Sequence, residues 1–137
     1  MATQRFMTRV GGENRLQTVD VGLTTGVAGV VLNGHIVVAV NADGLLVPAD
    51  GTDITVLGNV VGVIEHAYNA GATVSVRQSG VIDNLGWSWT PNIPVFVGPN
   101  GSLEQTLSPG VKFSQVIGIA LTSTKIHIKQ QPAIVLA

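Results

Sequence analysis

From Val27 onward, short β-branched runs alternate with the turn dipeptides Asn33-Gly34, Asp43-Gly44, Asp50-Gly51, Asn100-Gly101 and Pro109-Gly110. These residues tolerate the positive φ of tight turns, and their spacing suits many short antiparallel strands. Two runs alternate with period 2. In Thr73-Val74-Ser75-Val76-Arg77 the valines share one face, and in Lys125-Ile126-His127-Ile128-Lys129 the isoleucines do, which is the pattern of half-buried strands. The runs Ile36 to Val40 and Val116 to Leu121 are almost wholly apolar, which predicts strands covered on both faces. No segment carries a convincing helical period, although Ile64 to Asn69 is compatible with a single turn. Residues 1 to about 26 are mixed and polar and are interrupted at Gly11-Gly12 and Gly22, so they predict an extended N-terminal arm. The expected fold is all-β: a compact sandwich or barrel-like single domain over 27–137, preceded by the arm over 1–26.

The domain repeats itself. Ile36-Val-Val-Ala-Val-Asn-Ala-Asp-Gly-Leu-Leu46 matches Ile93-Pro-Val-Phe-Val-Gly-Pro-Asn-Gly-Ser-Leu103, with Gly44 on Gly101 at an offset of 57. Val60-Val-Gly-Val-Ile64 matches Val116-Ile-Gly-Ile-Ala120 at an offset of 56, and Thr73–Arg77 matches Lys125–Lys129 at an offset of 52. A hairpin, a Gly-centred strand and an alternating strand thus occur twice, in halves of about 34–80 and 91–130. Two copies are too few for a solenoid, so they predict one pseudo-symmetric domain in which each half covers strands of the other. Gly62 and Gly118 fall inside strands, where glycine marks a bulge or a close backbone approach.

Composition narrows the function. Charged residues make up 11% of the chain, against roughly 25% in typical soluble domains. Part of so weakly charged a surface is expected to be covered by partners. The net charge of −1 and the scattered Lys and Arg residues argue against a nucleic-acid footprint. The absence of cysteine removes disulfides, thiolate catalysis and Cys-ligated zinc. No apolar run approaches a signal-peptide core or a membrane helix, which predicts a soluble chain made in the cytoplasm, with no membrane partner.

The titratable residues do not converge on a catalytic site. Glu65 and His66 are adjacent, so on a strand they point to opposite faces. His127 stands between Lys125 and Lys129 on a polar face, and Asp43, Asp50 and Asp53 fall at turns, where Asp bonds its own backbone. The common nucleotide, hydrolase and zinc motifs are missing, and neither enzymatic activity nor a cofactor is expected. Trp87 and Trp89, at i and i+2, present both rings to one face if extended. They suit core packing or a subunit contact, with a sugar-stacking platform as the alternative. In the arm, Arg5, Phe6, Arg9 and Arg15 are candidates for contact with a neighbouring protein.

The order Gly34-His-Ile-Val-Val-Ala-Val, Asp43-Gly-Leu-Leu-Val-Pro-Ala-Asp-Gly51, Val61-Gly-Val-Ile and Ala70-Gly-Ala-Thr-Val-Ser-Val-Arg-Gln-Ser-Gly-Val81 resembles the small capsid decoration (cement) proteins of bacteriophages. The segment Ile93 to Leu103 and the segment Val116 to Leu121 repeat the theme. The resemblance covers about residues 34–129. It implies a homo-oligomer, with a trimer favoured, that sits on the outer capsid surface and bridges major capsid protein subunits. It implies no catalytic residue. A tail, collar or fibre component of a virion and a carbohydrate-binding module are the alternatives. The Trp-Ser-Trp segment and the long N-terminal stretch depart from the shorter members of that family.

Overall fold

The computed structural model describes residues 22–136. Strands β1 (Leu23–Val27), β2 (Ile36–Val40), β3 (Leu46–Pro48), β4 (Val60–Ile64) and β5 (Thr73–Arg77) form one antiparallel sheet in the order β1-β5-β4-β2-β3. A second sheet holds β6 (Ser79–Asp83), β7 (Pro94–Val97) and β8 (Leu103–Glu104), and two later strands described below as β10 and β11. Separately, β9 (Phe113–Ser114) pairs with β12 (Ile134–Val135) as a two-stranded ribbon. With β10 (Val116–Ala120) and β11 (Lys125–Lys129) in place, the second sheet runs β6-β11-β10-β7-β8. Place by place this is the strand order of the first sheet.

The two sheets share local devices. The β2–β3 and β7–β8 turns each carry a left-handed glycine, Gly44 at φ 77° and Gly101 at φ 78°. β4 carries one extra residue, Val61, since Val38 pairs with Gly62 and Ala39 with Val60. β10 carries Ile117 in the same way, between the Val116–Phe96 and Gly118–Val95 pairs. Each bulge kinks its strand immediately before a glycine. A Cβ on Gly62 would lie 2.4 Å from the Arg77 carbonyl oxygen, and one on Gly118 would lie 2.3 Å from that of His127. The neighbouring backbone occupies the space of a side chain. At this contact Arg77 corresponds to His127, two residues from the match read in the sequence, and a slip of two keeps every side chain on its face.

The halves differ in how they close. β1 continues to Ala28, which bridges Leu46 of β3 in parallel, with Gly29 N donating to Leu46 O at 2.8 Å. The first sheet therefore curls into a small barrel. Its interior is Ala28, Leu32, Val38, Leu46, Ile64, Val74 and Val76. The second sheet has no matching bridge among the described residues. Its inward residues, including Ile82, Val95, Val97, Ile126 and Ile128, share one core with Val37, Ala39, Val60 and Val63 on the outer wall of the barrel. The first half thus supplies the cover for the second.

Three expectations change. Leu23–Gly26, expected in the arm, is strand, paired residue for residue with β5 from Leu23–Arg77 to Val27–Thr73; its backbone ladder outweighs its weak apolar pattern. The rest of the expected arm, residues 1–21, lies outside the described residues. Ile64 to Asn69 forms no helical turn, because Ile64 ends β4 and Tyr68 bridges Leu32. β2 is covered on both faces at Val37, Val38 and Ala39, but on β10 Ile119 is only half-buried and Leu121 lies beyond the strand at 43% exposure.

Candidate functional site

Of the residues singled out by sequence, Trp87 and Trp89 are described, whereas Arg5, Phe6, Arg9 and Arg15 lie outside the described residues. The segment that carries the tryptophans leaves β6 at Asn84, whose N–H donates to Thr124 O at 2.9 Å and whose Oδ1 accepts from Gly86 N at 3.0 Å. Trp87 N donates to Asn84 O at 3.0 Å, and Trp89 N donates to Ser123 O at 2.8 Å. Gln105 clamps the far end: Oε1 accepts from Thr90 N at 2.8 Å, and Nε2 donates to Thr90 O at 2.8 Å and to Ile93 O at 3.2 Å. The loop is therefore fixed by its own bonds.

Both indoles are half-buried and pack against the core shared by the two halves. Their ring centroids are 5.5 Å apart with planes tilted by 56°, so they do not form a flat platform. His35, from the loop before β2, meets Trp87 edge-on at 5.3 Å and 77°, an arrangement favoured by the ring quadrupoles. Trp87 thereby ties the second half to the first. The amides of Asn84 and Gln105 bond main-chain groups of the loop, and Trp89 Nε1 is buried without a partner among the described residues. At the tip, Leu85 stands 87% exposed.

The titratable groups serve local structure. Asp50 Oδ1 accepts from Thr52 N at 2.9 Å and from Thr52 Oγ1 at 2.7 Å. Burial pushes the Asp50 carboxyl up, but hydrogen bonds from the Thr52 hydroxyl, Thr52 N–H and Asn100 N–H together hold it below 3.8. Asp53 caps a 3₁₀ turn over Ile54–Val56 and bonds Thr55 through both N–H and hydroxyl, and these two bonds hold it below its usual range. Glu65 Oε2 accepts from Arg77 Nε at 3.1 Å. His127 is exposed on the outer face of β11, as Lys125 and Lys129 are. Among the described residues no three metal-ligating side chains come together.

One further feature escaped the sequence reading. At the junction of the halves a cleft of about 680 Å³ is lined by Leu57, Val60, Val61 and four glutamines, Gln78, Gln115, Gln130 and Gln131. Gln130 Nε2 donates to Val60 O at 2.9 Å, and Gln115 Nε2 to Gln131 O at 3.0 Å. Gln130 and Gln115 thus join main chains that lie 70 and 16 residues apart in sequence. Nothing in the spacing of Gln78, Gln115 and Gln130 announces the convergence, because the topology alone creates it. The exposed aliphatic side chains are likewise scattered in sequence: Val31 is 68% exposed, Ile134 66% and Val135 60%. The chain matches no protein-family model and no curated protein sequence.

Proposed function

We propose that this chain is a non-enzymatic structural protein of a bacteriophage virion, which binds the outer surface of the capsid and stabilises it by bridging major capsid protein subunits. The observation that carries the reading is the surface. Leu85, Val31, Ile134 and Val135 stand exposed on a chain with only 11% charged residues, and so weakly charged a surface promotes association. The resemblance to capsid decoration proteins supplies the identity of that partner and favours a homo-oligomer, with a trimer first in line. Several modest contacts made at once from one oligomer become strong together. The engagement of Asp50, Asp53 and Glu65 in local bonds supports a structural over a catalytic role.

Co-sedimentation with purified capsids tests the reading. The protein is expected to pellet with expanded shells and to raise their melting temperature. Binding to tails and not to capsids would replace it with the tail, collar or fibre reading. The arm belongs to the same proposal: a variant lacking residues 2–20 is expected to lose capsid occupancy, and full occupancy would remove Arg5, Phe6, Arg9 and Arg15 from the contact.

A further inference from the structure

The two halves put equivalent residues in different surroundings. On the outer wall of the barrel, Val37, Ala39, Val60 and Val63 are at most 9% exposed, because the second half covers them. Offsets of 57 and 56 carry these positions to Pro94, Phe96, Val116 and Ile119. All four are half-exposed, and three of them line a shallow hollow of about 320 Å³. The described residues cover this apolar face once and leave it open the second time.

Cross-strand pairs, which share a face, map the open side. Ile119 pairs with Pro94 and Val116 with Phe96, and these form the apolar centre along β10 and β7. Phe96 pairs with Glu104, which places a carboxylate on β8 at one margin. Ile119 pairs with His127 at the other margin, and Lys129 follows on the same face of β11, one residue beyond the Gly118–Ile128 pair. The face is cationic along one side, apolar in the middle and anionic along the other.

We propose that this face binds a second copy of the chain through a two-fold axis that lies between β10 and β7, parallel to the strands. That rotation sets β10 over the partner's β7, so that Val116 meets the partner's Phe96 and Ile119 meets the partner's Pro94. It also sets β11 over the partner's β8, so that Lys129 meets the partner's Glu104, twice by symmetry. An isologous contact must be complementary to itself, and the separated margins of opposite charge meet that condition. Aligned sheets about 10 Å apart are the usual packing of such faces. The inference rests on the oligomeric part of the proposed function and is independent of capsid binding, and a dimer differs from the trimer that the resemblance implies.

Sedimentation velocity across a wide concentration range decides it. The wild type is expected at twice the chain mass. Lys129→Glu is expected to raise the dimer dissociation constant roughly a hundredfold through like-charge repulsion, and Ile119→Lys to give a monomer with an unchanged circular dichroism spectrum. Adding Glu104→Lys to Lys129→Glu is expected to restore the dimer. Glu104 also accepts hydrogen bonds from Ser102 and Ser108, so Ile119→Lys carries the test if that pair of changes prevents folding. A wild-type monomer or trimer overturns the proposal. A dimer that survives Ile119→Lys rules out the face, and one that survives Lys129→Glu rules out the two-fold register. A dimer that fails to bind capsids sinks the capsid reading alone.

Discussion

The first and second sheets share one strand order, one pair of bulges and one pair of crowded glycines, yet one closes and the other stays open. The difference sits at a few positions. In β1, Gly26 lies against Leu46, with an added Cβ only 2.8 Å from Leu46 Cδ1, and Gly29 lies as close to Leu45. The absent side chains let β1 reach β3. Followed through the pairings with β5 and β11, in which Arg77 corresponds to His127, Thr24 falls on Ile82 and Gly26 on Asn84, past the end of β6. Ile82 is fully buried in the shared core, and Asn84 opens the loop that carries the tryptophans. A repeated architecture is thus closed where β1 continues to Ala28 and left open where β6 ends at Asp83. The open half then needs a cover, which the wall of the closed half provides.

The largest test breaks the open half. Ile82→Ala removes a fully buried side chain from the shared core and is expected to cost about 4 kcal/mol in urea unfolding. A loss under about 1 kcal/mol would mean that the core is not organised around it. What the halves have in common comes next. Gly62→Ala and Gly118→Ala each drive a methyl onto a main-chain oxygen and are expected to cost about 3 kcal/mol apiece. Unequal costs would show that one sheet yields where the other does not.

Gly26→Ala opposes a side-chain tip and not backbone, so Leu46 can give way in part, at a cost of about 1.5 kcal/mol. Amide exchange should then rise at Gly29, whose N–H bonds Leu46 O, and leave β11 unchanged. Equal acceleration in both sheets would deny that the barrel closes independently. The smallest effect is acidic. Asp50, which bonds Asn100 of the second half, has a folded pKa below 3.8, so the unfolded chain takes up its proton first. Its contribution to stability is complete above 3.8 and disappears as the pH falls through the lower folded value. The position at the repeat offset of 57 is Leu107, which has no carboxylate. Asp50→Asn should therefore flatten part of the acid limb of a melting-temperature profile, and an unaltered limb would remove Asp50 from that linkage.

Much of the fold was legible in the sequence because period 2 and turn glycines report strands directly. Val74 and Val76, and Ile126 and Ile128, point inward as their alternation predicts. Gly62 and Gly118 sit at the bulges and close approaches that strand glycines signal. β1 was hidden because Leu-Thr-Thr-Gly-Val has little apolar alternation; its pairing depends on β5, some fifty residues away. The open face of β10 was hidden for a related reason. An apolar run such as Val116 to Leu121 states that burial is favourable but not what does the burying, and the described chain covers only one side. Trp87 and Trp89 were visible as a pair, but their contact with His35 and the convergence of four glutamines are products of topology.

Electron microscopy of the virion proposed to carry this protein tests the central claim most directly. The account predicts density for the fold of the twelve described strands on the outer surface of the shell, bridging neighbouring capsid subunits. Density in the tail or fibre, or shells without it, would contradict the account.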